Sequence, residues 1–182
     1  MRRMHLLLTT LAVALFVAML ILQPTGASAA PSCRGAAIVQ AAASDFMRAG
    51  RSGSPARLRA ALNRHVNMRS VMRFALGRNI RRLKGTERQR FYRQGSQYAA
   101  RRLAQLARSV HGTQVKVVRC RGSRVETQLL PGGERIVWKL RGGRIADVHF
   151  RGVSMVMLLR DHFRRMWRSA GNDAEAFLAQ LN

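Results

Sequence analysis

Apolar positions in the first half of the chain recur every three to four residues, the spacing of amphipathic helices. Residues 34–49 form the first such segment. In the next segment, "SPARLRAALNRH", Ser54 stands as the N-cap before Pro55. In the third, "NMRSVMRFALG", Asn67 is the cap and Gly77 the stop. The pattern therefore predicts three consecutive helices.

The longest predicted helix covers "TERQRFYRQGSQYAARRLAQLARSVHG". It opens with a capping box formed by Thr86 and Gln89, and it ends at Gly112. At about 100° per residue its apolar positions share one face, and Arg102 falls inside that face. The apolar positions are Phe91, Gly95, Tyr98, Ala99, Leu103 and Leu106.

After Gly112 the apolar period changes from 3.6 to 2, which indicates β-strands. Four strand candidates follow: "TQVKVVRC", "RVETQLL", "ERIVWKLR" and "RIADVHF". They are separated by short turns such as "PGG" and "GG". In the second strand Val125, Thr127 and Leu129 share one face and the polar residues share the other. One face of the antiparallel sheet is therefore predicted to be dry.

Two helices close the chain. The first, in "GVSMVMLLRDHFRRMW", is capped by Ser154, and its apolar side chains fall in one arc; the second begins after a cap at Asn172. Helices, then strands, then helices indicate an α+β fold in which helices pack on one face of a curved four-stranded antiparallel sheet, as a single domain. The residues of the arc are Met155, Val156, Leu159, Phe163, Met166 and Trp167.

The N-terminus has the organisation of a secretory signal peptide. Two arginines precede an apolar run from Leu6 to Leu22, and small residues follow. We expect residues 1–29 to form the signal peptide and residues 30–182 the mature domain. The apolar run is longer than most signal cores, so an uncleaved anchor is the alternative.

Charge and cysteines are consistent with an exported protein. The net charge is +25, and the cations are almost all arginines. Outside the cytoplasm the abundant anions are lipid headgroups rather than nucleic acid, so we expect an anionic membrane surface as a partner, with a merely solvated basic surface as the alternative. An oxidising compartment favours a disulfide between Cys33 and Cys120; the alternative is two buried thiols.

No arrangement of residues indicates an enzyme. The five histidines lack metal-ligand spacing, no CxxC is present, and "GVSMV" lacks the second glycine of a nucleophile elbow. We predict no catalytic residues, no metal and no cofactor.

Two blocks of the sequence carry a family resemblance. "DVHFRGVSMVMLLRDHF" and "FALGRNIRRLKGTERQRFYRQGSQYA" resemble segments of the MlaC-like periplasmic phospholipid-binding proteins, also known as toluene-tolerance or ABC-transporter auxiliary proteins. Leu158 and Leu159 depart from the family pattern, which usually has a polar residue and Tyr there. The matching residues are Asp147, Val148, Gly152, Val153, Ser154, Arg160 and Phe163 in the first block, and Phe74, Leu76, Gly77, Arg78, Phe91 and Tyr98 in the second.

The resemblance implies a soluble shuttle that carries phospholipid across the periplasm and contributes to outer-membrane lipid asymmetry. Its partners would be an inner-membrane ABC transporter complex and an outer-membrane lipoprotein complex. Hiding a chain of about 16 carbons from water is worth about 13 kcal/mol, so a carrier needs a comparably dry interior. The alternatives are a carrier of a hopanoid or other envelope lipid, and a basic membrane-surface protein without a cavity.

The matched blocks and the apolar arc suggest a set of residues that line this interior. The alternative for all of them is an ordinary core, because an apolar stripe at helical spacing is more often core than cavity. The predicted lining residues are Phe74, Leu76, Phe91, Tyr98, Val148, Phe150, Val153, Met155, Val156, Leu159 and Phe163.

Two arginines are candidates for the lipid headgroup. A guanidinium within an apolar face needs an anion, so we expect Arg102, with Arg160, to meet a phosphate. The alternative is that Arg102 extends to solvent or pairs with Asp45 or Asp147. Met157 and Leu158 project away from the apolar arc, which favours either a membrane or partner contact or packing against the final helix.

Overall fold

A computed structural model describes residues 33–107 and 114–182 of the chain. Within them lie six α-helices, one 3-10 helix and five strands. The helices are α1 (Arg34–Arg51), α2 (Pro55–His65), α3 (Met68–Leu76), the 3-10 helix (Gly77–Arg82), α4 (Gly85–Ala107), α5 (Met155–Ser169) and α6 (Ala174–Ala179). The strands are β1 (Gln114–Arg121), β2 (Arg124–Leu130), β3 (Arg135–Arg141), β4 (Arg144–Phe150) and β5 (Val153–Ser154).

Most predicted helix ends are confirmed. The Ser54 side chain accepts a hydrogen bond from the N–H of Arg57 at 3.4 Å. The Asn67 side chain does the same for Ser70 at 3.1 Å. Gly77 follows α3 with a φ of 61°, in the left-handed region that glycine tolerates.

Two predicted caps are wrong. α4 begins at Gly85, so Thr86 already lies within the helix; the Glu87 carboxylate instead accepts the N–H of Lys84 at 2.6 Å. The cap of α6 is Asp173 rather than Asn172, because its carboxylate is placed to accept the N–H of Ala176 at 2.8 Å. The predicted end of α4 at Gly112 lies outside the described residues.

The sheet is antiparallel throughout, in the order β1-β2-β3-β4-β5. It confirms the four predicted strands and adds β5 as a short edge strand. Val125, Thr127 and Leu129 are all buried, so the predicted dry face is confirmed. On this face the buried Trp138 indole N–H donates to the Thr127 hydroxyl at 2.9 Å, which satisfies both polar groups.

The helices lie in two levels over the dry face. α1, α3 and α5 approach the strands, whereas α4 packs chiefly against α2, α3 and α6. The approach of α1 is close at Gly35, because a Cβ there would lie 2.9 Å from side-chain atoms of both Leu140 and Val125. The long helix α4 is thus held by other helices rather than directly by the sheet.

A disulfide links α1 to β1, and hydrogen-bonded ion pairs link α1 to α2. A disulfide joins Cys33, at the start of α1, to Cys120 of β1. Asp45 of α1 accepts hydrogen bonds from Arg64 at 2.6 Å and pairs with His65 of α2 at 2.7 Å. These bonds, that to His65 first, hold the pKa of Asp45 below its ordinary value.

The predicted signal peptide, residues 1–29, lies outside the described residues. Within the described part, every helix is too short or too polar to span a membrane.

Candidate functional site

The face of α4 that carries Phe91 changes character along the helix. Phe91 is fully buried and Tyr98 is buried, but Arg102 and Leu106, which lie on the same face further along, are exposed. α5 shows the opposite order: Phe163 is fully buried, and burial decreases toward its first turn. The C-terminal half of α4 and the start of α5 therefore leave apolar surface open to solvent.

A cluster of aromatic rings fills the space between the buried parts of α4 and α5. Phe163 of α5 lies 5.7 Å from Phe91 and 5.9 Å from Phe177 of α6, measured between ring centroids. Trp167 packs on Phe177 at 5.2 Å, and Tyr98 lies 6.0 Å from Phe163. These edge and tilted contacts are the arrangements that aromatic pairs favour, so this end is a packed core.

Tyr98 marks the boundary between the packed core and the open part. Its ring stacks on His162 of α5 at a centroid distance of 5.4 Å, and its hydroxyl is hydrogen-bonded to His162 Nε2. Arg102 Nε donates to the same hydroxyl at 3.0 Å. Partial burial, with the positive charges of Arg102 and Arg165, lowers the pKa of His162. The lowered pKa keeps the ring predominantly uncharged at pH 7.

Half-buried apolar side chains surround the open part. They lie on α4, on α5 and at the end of the sheet where β4 finishes. Each packs against the main core while keeping part of its surface in solvent, and we call these residues the apolar rim. The apolar rim consists of Ala99, Val115, Ile136, Val148, Val156 and Leu159.

The predicted lining residues fall into three groups by burial. Four are buried, five are half-buried, and two are exposed. The buried ones are Leu76, Phe91, Tyr98 and Phe163; the half-buried ones are Val148, Phe150, Met155, Val156 and Leu159; the exposed ones are Phe74 and Val153.

Phe74 and Val153 do not lie in the interior as predicted. The buried face of α3 is formed by residues such as Val71, Met72 and Ala75, and Phe74 points away from it with 47% of its surface exposed. Val153 is 46% exposed because β5 is the last strand in the sheet order. Helical spacing and strand alternation assign a face, and both residues lie on or beyond the border of one.

The expectation that Arg102 lies within an apolar, buried face is wrong, since its side chain is exposed. It also pairs with neither Asp45 nor Asp147: its Nη1 donates to Gln105 at 3.0 Å, in addition to the bond with Tyr98. Arg160 contacts a different group, since its guanidinium lies 4.9 Å from the centre of the Phe74 ring. The structure therefore does not bring the two arginines to a common partner.

No role for His162 was predicted from the sequence. Its partner Tyr98 lies 64 positions away, and no local spacing signals such a pair. The hydrogen bond between Trp138 and Thr127 was missed for the same reason, although two polar groups on a dry face indicate that each needs a partner.

One constellation superficially resembles catalytic machinery. The Ser154 hydroxyl donates to Asp147 at 2.8 Å, and His149 Nε2 lies 2.9 Å from the same carboxylate. In a nucleophilic triad the histidine stands between serine and aspartate, whereas here the carboxylate does. Ser154 also accepts the N–H of Met157 and so caps α5. In residues 33–107 and 114–182 no group of side chains is arranged to hold a metal ion.

Comparison with solved structures identifies the fold. It is similar to that of a phospholipid-binding protein from Ralstonia solanacearum, solved in complex with a phospholipid. The two chains are 12% identical, and the match covers 80% of this chain and 93% of that one with a TM-score of 0.62. At this identity the likeness shows a shared fold. No curated protein sequence gives a significant match.

The sequence itself matches one family, described as MlaC protein, over residues 37–182. This range includes the whole sheet, the apolar rim and every helix except the first turn of α1. The chain therefore belongs to the MlaC protein family.

Proposed function

We propose that the protein is a periplasmic carrier that holds phospholipid acyl chains between its sheet and its helices. It is a binding protein rather than an enzyme. It receives and delivers lipid at an inner-membrane ABC transporter complex and an outer-membrane lipoprotein complex. Family membership and the phospholipid-bound relative support the class of ligand.

The apolar rim is the observation that carries this proposal. Half-buried apolar residues lie on α4, on α5 and at one end of the sheet, in the part of the fold where both helices become exposed. An acyl chain laid against the rim removes that surface from water and continues into the dry interior, at about 25 cal/mol for each Å² covered. Because the gain is comparable to that in a bilayer, the exchange is reversible and its direction comes from the partner complexes.

The first experiment identifies the cargo. We expect protein purified without detergent to release phospholipid that mass spectrometry detects after extraction. A hopanoid or another envelope lipid in its place would keep the carrier role and change the ligand. Repeated absence of lipid, together with no uptake from liposomes, would contradict the proposal.

A matched pair of variants tests the position of the chains. Leu159 is half-buried on the rim, and its neighbour Leu158 is 48% exposed. We expect Leu159→Trp to reduce lipid bound from mixed micelles several-fold, because the indole fills space that a chain would occupy. Leu158→Trp serves as the control with wild-type occupancy. Equal occupancy in the two folded variants would argue against chains at the rim.

We further propose that Arg102 contacts the lipid phosphate at the rim. Its hydrogen bond to Tyr98 orients a guanidinium that has no carboxylate partner among the described residues. Arg102→Gln should weaken retention of phospholipid about tenfold, the loss expected for one charge-assisted hydrogen bond. Retention of diacylglycerol, which lacks the phosphate, should not change. Equal effects on both lipids would show that Arg102 acts through the fold.

A further inference from the structure

The first turn and a half of α5 is apolar on every side. Residues 155–159 read "MVMLL". Val156 and Leu159 face the interior, whereas Met157 and Leu158 are 45% and 48% exposed. A helix at the surface of a soluble domain normally carries polar residues on its outer face. The exposed apolar side chains on this outer face therefore indicate that it contacts a second apolar environment.

Packing among the described residues does not supply that environment. α6 meets α5 at its other end, where Trp167 contacts Phe177 at 5.2 Å. Two further exposed apolar residues lie on elements that neighbour the start of α5: Phe74 of α3, which lies beneath Arg160 of α5, and Val153 of β5. We call the four residues Phe74, Val153, Met157 and Leu158 the outer patch.

Arginines border part of the outer patch. Arg160 lies over Phe74, and Arg73 and Arg165 are exposed nearby on α3 and α5. Among the described residues, no carboxylate lies within 4.0 Å of the guanidinium of Arg73, Arg160 or Arg165. The nearby Asp161 pairs with Arg164 instead. Long apolar side chains bordered by arginines match the boundary between acyl chains and anionic headgroups, where arginine keeps its charge among the headgroups.

The outer patch adjoins the apolar rim. Leu158 and Leu159 are consecutive on α5 and belong to the patch and the rim respectively. Val153 pairs across the β4–β5 ladder with Phe150, which lies at the same end of the sheet as the rim. A surface pressed against the outer patch would therefore lie beside the rim.

We infer that the outer patch docks the protein onto an anionic phospholipid bilayer, with Met157 and Leu158 inserted among the lipids and the neighbouring arginines on the headgroups. The inference rests on the proposed function, because a carrier has reason to bring its rim to a membrane. A bilayer is favoured over an acidic protein because flexible apolar side chains at the patch need no matching pocket.

The test compares Met157→Ser/Leu158→Ser with Val118→Ser in the full mature chain. Val118 is also an exposed apolar residue, but it lies on β1 at the opposite end of the sheet order. Flotation is measured with vesicles of phosphatidylcholine alone and with added phosphatidylglycerol, at low salt and at about 1 M salt, where screening is nearly complete beyond about 3 Å. Circular dichroism and thermal unfolding establish that each variant is folded.

We expect wild type and Val118→Ser to bind anionic vesicles and to retain part of that binding at high salt. Met157→Ser/Leu158→Ser should bind at least tenfold more weakly and lose the salt-resistant fraction. Wild-type binding by the double variant would overturn the inference, as would binding of the wild type that salt abolishes completely. Unchanged vesicle binding with impaired delivery to a partner complex would assign the patch to a protein instead, and would also overturn it.

Loading from detergent micelles separates this inference from the proposed function. The double variant should take up as much lipid from micelles as wild type does, while its extraction from vesicles is slower. If wild-type protein takes up no lipid from micelles, the carrier proposal fails. If wild type and variant load equally and extract equally, only the docking inference fails.

Discussion

Asp147 Oδ2 accepts a hydrogen bond from the Ser154 hydroxyl at 2.8 Å, across the tight turn between β4 and β5. The other oxygen, Oδ1, accepts the N–H groups of Val148 at 2.9 Å and of Val156 at 3.2 Å. Ser154 in turn accepts the N–H of Met157 at 3.1 Å. One carboxylate thus joins the end of the sheet to the first turn of α5, where the helix dipole favours negative charge.

Replacement of these two residues should reveal their coupling. We expect Asp147→Ala to lower the free energy of unfolding by about 2 to 4 kcal/mol and Ser154→Ala by about 1 kcal/mol. Because they share a hydrogen bond, the double variant should lose less than the sum. Urea unfolding measures all three values. Strict additivity would mean that the carboxylate and the hydroxyl act independently.

His162 should give the stability a pH dependence near neutrality. The folded pKa lies below the unfolded value of 6.5, because the ring is partly buried and Arg102 and Arg165 are near. As the pH falls through that value the unfolded state takes up the proton first, so stability decreases. Wild type should therefore lose more stability than His162→Gln between about pH 7.5 and about pH 5. Parallel curves for the two proteins would contradict this assignment.

The close approach of α1 to the sheet predicts a cost for a single methyl group. Gly35→Ala places a Cβ 2.9 Å from side-chain atoms of Leu140 and Val125. We expect a loss of about 1 to 2 kcal/mol, as for other overpacked sites. Gly85→Ala, where no atom lies within 4 Å, is the control and should be neutral or stabilising. Equal thermal stability of the two variants would show that the side chains of Leu140 and Val125 move aside without loss of stability.

Removal of the disulfide should destabilise the fold strongly. The bridge spans 87 positions, and on the chain-entropy model such a loop contributes about 4 to 5 kcal/mol. Cys33→Ser/Cys120→Ser should therefore unfold at a lower urea concentration, and reductant should destabilise wild type but leave the variant unchanged. A variant as stable as the oxidised wild type would indicate that the two residues are not bonded in the native protein.

Local chemistry explains which features could be predicted from the sequence. Ser54 and Asn67 cap helices through bonds to residues three positions away, and the burial of Val125 and Leu129 follows from strand alternation. The error at Thr86 also has a local origin, because Glu87, one position further, satisfies the free N–H of Lys84. Side chains at neighbouring positions can compete for the same backbone N–H, so a predicted cap can be wrong by one residue.

The candidate site was less accessible to prediction because it depends on how the helices dock. Helical projection placed Arg102 correctly on the face of Tyr98, but the same face is buried at one end of α4 and open at the other. No periodicity encodes where along a helix its neighbour ends. The apolar arc and the serine before it predicted α5 and its cap, while the exposure of Phe74 depends on the tertiary structure.

Strand β1 stands last on its side of the sheet, and its outward positions include Lys116, Arg119 and Arg121, all exposed. A register shift between Val117 and Arg119 interrupts its regular pairing. If a second copy of the protein paired its β1 with this edge, the lysine and arginine side chains of the two strands would repel each other. The irregular backbone would also prevent regular hydrogen bonding between the strands. The exposed cations and the irregular backbone of β1 thus discourage self-association through this strand edge.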